Sequence, residues 1–408
     1  MVTKVYPSAS DGPVPIDSRI EIHFSKSIDT SSFNGFALEF DTDIPGTFVF
    51  ADSIVYYEPD SLLAINSNYT VNLASWVKDR EGTKLDSNLV WTFTTNQGAG
   101  YYWHVSQNTC TSYYADLCWG NNQFSIVGGN WYPSRTGFHM SSVDGKLWTT
   151  LLDTTILFCS GAYWNDILFM GGFSDTIYYS LTGSSLYPIH YNTGFFSDLI
   201  RSFYSNDSLL VLVENSIVND IYTSEVWKSF GGDSWEGGYK FHYTLTDITW
   251  NGNTFIVIGY PDLVLTSSDG LESWTEQRIS SGTTAILSSI VSSDDLTIAV
   301  SENTSSIFAT QNGQTWNEID LASQIDSTLT LNDIIWTGHE YLAVGRVEDY
   351  SPIKGTGIVI SSKDGAHWIK RFEYTDSSND FLFRKIAYSG HSFVILSNNT
   401  PGRIFYSP

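Results

Sequence analysis

The stretch Asp247-Ile-Thr-Trp-Asn-Gly-Asn-Thr-Phe-Ile-Val-Ile-Gly259 holds an apolar strand, a polar turn and a second apolar strand that ends on glycine. The same order returns at Asp333-Ile-Ile-Trp-Thr-Gly-His-Glu-Tyr-Leu-Ala-Val-Gly345 and at Asp116-Leu-Cys-Trp-Gly-Asn-Asn-Gln-Phe-Ser-Ile-Val-Gly-Gly129. Weaker copies begin at Ala162, Phe203, Ser289 and Lys385, which makes seven. Aligned on the residue before the turn (Trp119, Trp164, Tyr204, Trp250, Val291, Trp336, Tyr388), the spacings are 45, 40, 46, 41, 45 and 52. A repeat of this length, built from short strands, predicts the four-stranded blades of a seven-bladed β-propeller.

Four repeats carry a second signature in their later half: Ser142-Val-Asp144-Gly145-Lys-Leu-Trp148, Ser267-Ser-Asp269-Gly270-Leu-Glu-Ser-Trp274, Thr310-Gln-Asn312-Gly313-Gln-Thr-Trp316 and Ser362-Lys-Asp364-Gly365-Ala-His-Trp368. The chemistry is local. Asp or Asn accepts backbone N–H groups in the turn, Gly takes the positive φ, Ser or Thr adds a bond, and Trp wedges between blades. These segments resemble the Asp-box hairpins of the propellers of sialidases, sortilin-type receptors and photosystem assembly factors. Asp-Gly-x-x-Trp is one residue shorter than the common sialidase form, except at Asp269. The resemblance implies architecture rather than catalysis. WD40 repeats have a similar period, but no Gly-His or Trp-Asp dipeptide recurs at the required places.

The seventh copy stops at Ile404-Phe-Tyr-Ser-Pro408, short of an outer strand. Gly100-Tyr-Tyr-Trp-His-Val-Ser106 is the candidate to supply it, with Trp103 in the place of a box tryptophan, by pairing with residues 404–407 and removing an unpaired edge.

Residues 1–97 read differently. Arg19-Ile-Glu-Ile-His-Phe24, Gly46-Thr-Phe-Val-Phe50, Asn68-Tyr-Thr-Val-Asn-Leu73 and Leu89-Val-Trp-Thr-Phe-Thr-Thr95 are strands between turn clusters, the pattern of a β-sandwich. Alternation puts Ile20, Ile22 and Phe24 on one face. Through Val5-x-Pro7, Asp11-Gly12, Phe24-Ser25-Lys26-x-Ile28-Asp29, Val77-Lys78-Asp79-x-x-Gly82 and Trp91-Thr92-Phe93-Thr94-Thr95, the segment resembles the bacterial Ig-like domains of S-layer and other surface proteins. That resemblance implies a spacer or docking unit. The expected fold is all-β, an Ig-like β-sandwich over 1–97 followed by the propeller over 98–408.

Composition limits the function. Lys plus Arg number 20 against 44 Asp plus Glu, a net charge of -24, and a field of that sign repels phosphate backbones and anionic bilayers. No nucleic-acid partner is expected on that ground. No run reaches the ~20 apolar residues of a membrane span, so no membrane insertion is expected. Met1-Val-Thr-Lys-Val-Tyr6 has no signal-peptide apolar core, so the expectation is that a leader was removed or never used. Cys110, Cys118 and Cys159 form neither a disulfide framework nor a zinc motif and are read as core fillers.

Strand order puts the 1–2 turns and box turns on one face of the propeller and the 2–3 and 4–1 loops on the other, beside the central channel. The expected ligand face therefore carries Trp131, Tyr132 and Arg135 from a long 2–3 loop in the first blade, and Arg346, Glu348, Asp349 and Tyr350 from another in the sixth. Shorter loops add Phe173 and Asp175, Tyr260 and Asp262, and Arg403. Rings stack on the C–H faces of sugars and carboxylates accept hydroxyl hydrogens, so the set suits glycans. The other reading is that these loops only shield blade ends. In the third blade Trp227-Lys-Ser-Phe-Gly-Gly-Asp-Ser-Trp235-Glu-Gly-Gly238 reads either as an interface for another subunit or as a decayed box.

Enzyme signatures are sparse. A sialidase needs three convergent arginines, a Tyr and Glu nucleophile pair and an Asp acid, and its Arg-Ile-Pro tripeptide is missing. The propeller arginines (Arg135, Arg201, Arg278, Arg346, Arg371, Arg384, Arg403) sit in no recognisable catalytic context. Carboxylate pairs such as Asp175 with Asp262 keep glycoside hydrolysis open as a third possibility. No cofactor and no metal is expected. The expectation is thus a non-enzymatic binding or structural protein at a surface, with other virion or cell-surface proteins, and glycans, as partners; an oligomer is compatible with it. Two settings fit, a bacteriophage virion component (tail, fibre or capsid surface) and an exported bacterial adhesin.

Overall fold

In the computed structural model the chain forms two compact units, residues 1–102 and 103–407. The structure describes all residues except 1, 34–35, 96–98, 108–111, 131–134, 173–175, 191–198, 207, 219–220, 270–272, 280–283, 351–352, 377–380 and 399–401, and no side chains at 217–218, 221, 349–350 and 353–354.

The N-terminal unit is a sandwich of two four-stranded sheets. One runs in the order Val2–Tyr6, Ile20–Phe24, Ile54–Pro59, Gly46–Ala51, the other Pro13–Val14, Leu89–Thr95, Asn68–Leu73, Leu38–Phe40. Strict alternation decides which face is inside: Ile20, Ile22 and Phe24 are buried while Glu21 and His23 are not. They meet Val71, Leu73 and Phe93 of the opposite sheet in one core.

The second unit contains seven four-stranded antiparallel sheets, numbered here as blades 1–7 in chain order. Blade 1 runs Tyr113–Gly120, Gln123–Asn130, Thr136–Ser142, Thr149–Thr154. Blade 7 takes Phe383–Tyr388, Phe393–Ser397 and Ile404–Ser407 from the end of the chain and His104–Val105 from the start of the unit, with Phe405 opposite Val105 and Tyr406 opposite His104. Trp103 packs against Phe393 of its own blade and stacks on Phe372 of blade 6, with ring centroids 5.7 Å apart. Blades 7 and 1 share a core in which Phe124 and Ile126 meet Val394, Leu396 and Ile404.

Register corrects the alignment of three repeats. Tyr163, Ser205 and Ser292, rather than Trp164, Tyr204 and Val291, stand where Trp119 and Trp250 stand, each three residues beyond the register shift of its first strand. This evens the first five spacings to 42–45 residues. An apolar side chain was a poor guide in these blades because the position beside the turn residue packs against a core.

The box turns also explain how blades lock together. Ser142 Oγ accepts the Gly145 N–H (2.9 Å), Asp144 accepts the Lys146 N–H (2.9 Å), and the Trp148 indole donates to the Gly145 carbonyl (2.8 Å). Asn312, Gly313 and Trp316, and Asp364, Gly365 and Trp368, repeat the scheme. At Asp269 the Ser267 hydroxyl donates to the carboxylate (2.8 Å), and Gly270 lies outside the described residues. Trp274 meets Phe241 edge-on at 5.6 Å. In blade 3 Gly232 N–H donates to Ser229 Oγ at 2.8 Å, and Trp235 packs with Trp164 and Phe169 of blade 2. The blade 3 segment is therefore a box turn with Gly231 in the aspartate's place.

Candidate functional site

Every first strand of the propeller carries a β-bulge at the same height. The register shifts around Ala115, Cys159, Arg201, Thr246, Ser288, Asn332 and Arg384, one residue per blade. A bulge leaves one residue unpaired and re-aims its side chain. All seven line one cavity of about 470 Å³, which lies beside the 2–3 turn residues Gly129 and Asn130 and the strand-start residues Phe158 and Leu199.

The residues just after the bulges form a second tier. Asp116, Asp247 and Asp333 stand on blades 1, 4 and 6, Ser160, Ser202 and Ser289 on blades 2, 3 and 5, and Lys385 on blade 7. Each carboxylate ties its blade to the next by accepting a backbone N–H: Gly161 to Asp116, Ile290 to Asp247 and Ile386 to Asp333, each at 2.9 Å. Ser289 adds hydroxyl bonds to Asp247 (3.1 Å) and Asp333 (2.9 Å). Lys385 Nζ is 3.5 Å from Asp116 and 3.8 Å from Asp333. Burial works to strip the Lys385 proton, but the carboxylates of Asp333, Asp116 and Asp247 override it and raise its pKa. Burial raises the Asp333 carboxyl, against the pull of Lys385. This tier is a structural girdle in which one ammonium is shared among carboxylates that are committed to neighbouring backbone N–H groups.

The upper tier is asymmetric. On blades 4–6 the side chains bond to the next blade's backbone: Thr246 to the Leu287 carbonyl (2.7 Å), Ser288 to Leu331 (2.8 Å) and Asn332 to Phe383 (3.0 Å). Blades 7 and 3 instead project Arg384 and Arg201, with the small Ala115 and Cys159 between them. Arg384 lies over the Tyr113 ring, 4.8 Å from its centroid, and its Nε is buried with no hydrogen-bond partner among the described residues. Burial pushes the Cys159 thiol up to about 12, against the lowering influence of Arg201 and Arg384, which favours the neutral form.

The residues expected to recognise a ligand fall into three groups. Trp131, Tyr132, Phe173 and Asp175 lie outside the described residues. The sixth-blade loop is not a loop: its strands continue as Tyr341–Tyr350 and Ile353–Ser362, with Glu348 opposite Gly355, Asp349 opposite Lys354 and Tyr350 opposite Ile353. Arg346 and Glu348 form an ion pair with each other on this hairpin. Arg403 is held by Asp376 (2.6 Å) and the Tyr374 hydroxyl (2.7 Å), bracing blade 7 against blade 6. Tyr260 is 47% exposed on a tight turn in which Asp262, at φ 40°, bonds through its N–H to the Ala285 carbonyl (2.8 Å). Arg135 is exposed at the start of a strand.

The sequence reading missed Arg201 and Arg384, because only the bulge turns them inward. It also missed Glu214 and Glu225, buried opposite one another in blade 3 and bonded to the Trp227 indole (3.0 Å) and Lys240 (3.0 Å).

Residues 1–95 match the family model of the bacterial Ig-like domain. None of the curated proteins compared matches the sequence. Among solved structures the chain is similar to YCF48 bound to D1 peptide (TM-score 0.53, 15% identity, 75% of this chain and 95% of that one). It is also similar to the WD40 β-propeller domain of Doa1 (0.52, 15%, 74% and 95%) and to a catalytically inactive virginiamycin B lyase from Staphylococcus aureus with quinupristin (0.56, 8%, 75% and 100%). Likeness at such identities concerns the fold alone. Together with the strand registers it makes the chain a bacterial Ig-like domain followed by a seven-bladed β-propeller.

Proposed function

We propose that the chain is a non-enzymatic binding protein of a surface assembly, in which the Ig-like domain is the docking unit and the propeller recognises a glycan or protein through its 2–3 and 4–1 face. The observation that carries this reading is the convergence of seven bulge residues on one cavity at that face. Such a cavity offers a preformed concave surface on which polar groups converge. Bacterial Ig-like domains belong to extracellular and surface proteins, which supports the setting. YCF48 is similar in fold and holds a peptide, a precedent for recognition by such a propeller. A binding role is supported further by Cys159, whose burial favours the neutral thiol, and by the girdle carboxylates, which are committed to backbone N–H groups.

The finer setting we propose is a bacteriophage virion, as a tail, fibre or capsid-surface component, with an exported bacterial adhesin as the alternative. The test is surface plasmon resonance of the full chain against purified virions and against envelopes of the bacterial source. Tyr260→Ala with Arg135→Ala changes the proposed face, and Leu147→Ala changes the box face. Binding weakened by the first variant and kept by the second supports the reading; the reverse pattern, or binding to neither preparation, ends it. Sedimentation of the chain with virions would favour the first setting, and retention on envelopes alone the second.

A further inference from the structure

Arg201 and Arg384 stand out in a chain with a net charge of -24. Among the described residues neither forms an ion pair, although carboxylates abound. Arg384 is fixed by Tyr113, and its Nε is shut from water without a partner. A buried guanidinium nitrogen left unpaired is costly and calls for an explanation. The two arginines occupy blades 7 and 3, and the blades between them contribute Ala115 and Cys159 to the same tier. The arc is thus cationic at both ends and hollow in the middle. Lys385, below it, is already neutralised by Asp116 and Asp333.

We propose that this arc binds the carboxylate of an acidic saccharide, a uronic acid unit seated at the mouth of the central channel. The inference rests on the surface-binding reading and names its ligand class. A guanidinium presents a planar fork of donors that fits a carboxylate. The rest of the cavity suits a sugar. Leu157, Phe158 and Leu199 offer apolar walls to a C–H face, and Glu302 lines the blade 5 side, where its carboxylate accepts hydroxyl hydrogens. A volume of about 470 Å³ is within the range of small-ligand sites and accommodates one or two sugar rings.

Isothermal titration of the full chain with digalacturonate, lactose and a tripeptide with a free C-terminus tests this. Digalacturonate is expected to bind and lactose not to. Arg201→Gln should weaken binding about tenfold or more, as should Cys159→Met, which fills the hollow without altering charge. Arg346→Gln, which removes a guanidinium already paired on the blade 6 hairpin, should leave binding unchanged. Melting curves verify that each variant is folded, and since Arg201 is exposed, its variant keeps the test valid if Cys159→Met does not fold. Equal affinity for lactose, binding of the tripeptide in place of digalacturonate, insensitivity to Arg201→Gln, or no binding at millimolar ligand would each overturn the proposal. Should the Tyr260 and Arg135 variant still abolish binding to virions or envelopes, the surface-binding reading would survive that loss.

Discussion

A box glycine and a glycine of a 1–2 turn are tied to the fold by different constraints. Gly145 has φ 74°, and a Cβ there would sit 2.5 Å from Val394 of blade 7, whereas Gly338 has φ 93° with nothing within 4 Å. Left-handed backbone alone costs about 1–2 kcal/mol in a residue with a Cβ. Gly338→Ala should therefore lose about 1 kcal/mol and Gly145→Ala at least about 2 kcal/mol, since blade 7 must also give way, as read from urea midpoints. His139 supplies a pH test. It is fully buried, with Nδ1 2.8 Å from the Gly183 carbonyl and Nε2 2.9 Å from Ser125 Oγ, and burial lowers its pKa. Below about pH 6.5 the unfolded chain takes up a proton that the native one refuses, so stability falls with pH until the lower folded value is passed. Urea midpoints measured between pH 7 and 5 should fall more steeply for the native sequence than for His139→Gln.

At the scale of the element, the first strand decides the chemistry of the channel. Its bulge sets two neighbouring residues to different tasks, one lining the cavity and the next stitching blades. Lys385 is the only cation of the lower tier, and its side chain is 31% exposed. Lys385→Met should cost about 2–4 kcal/mol, because Asp116 and Asp333 are left without their counter-charge. Adding Asp333→Asn should recover part of that loss, a coupling that a double-mutant cycle in urea would measure. By contrast Arg346 pairs with Glu348 on a half-exposed hairpin, and Arg346→Gln should cost less than about 1 kcal/mol. The blade 6 hairpin also shows why loop length was misjudged. Val347 and Glu348 pair with Thr356 and Gly355, so a polar, glycine-bearing stretch that reads as loop is extended strand held by ladder bonds.

Across the whole molecule, joining the ends of the propeller falls to two residues, His104 and Val105, on the edge of blade 7. Ser106→Pro would remove the N–H that donates to the Ile404 carbonyl (2.8 Å) beside this pair and loosen the edge, so a lower calorimetric melting temperature and increased light scattering on heating are expected. Much of this architecture was legible in the chain itself. The period, the Asp-Gly turns, the early placement of Trp103 and the alternation of Ile20, Ile22 and Phe24 are local signals, since turn chemistry and two-residue alternation act within one blade or one strand. They were enough to establish the sandwich, the number of blades and the strand that completes the last. The candidate site was not legible in the same way. Arg403 and Arg346 looked available and are engaged internally, while Arg201 and Arg384, 183 positions apart, carried no sequence signal. What brings them together is a register shift repeated in seven strands and the circular order of the blades. Both are settled by packing between blades, an energy that exists only once the ring has formed.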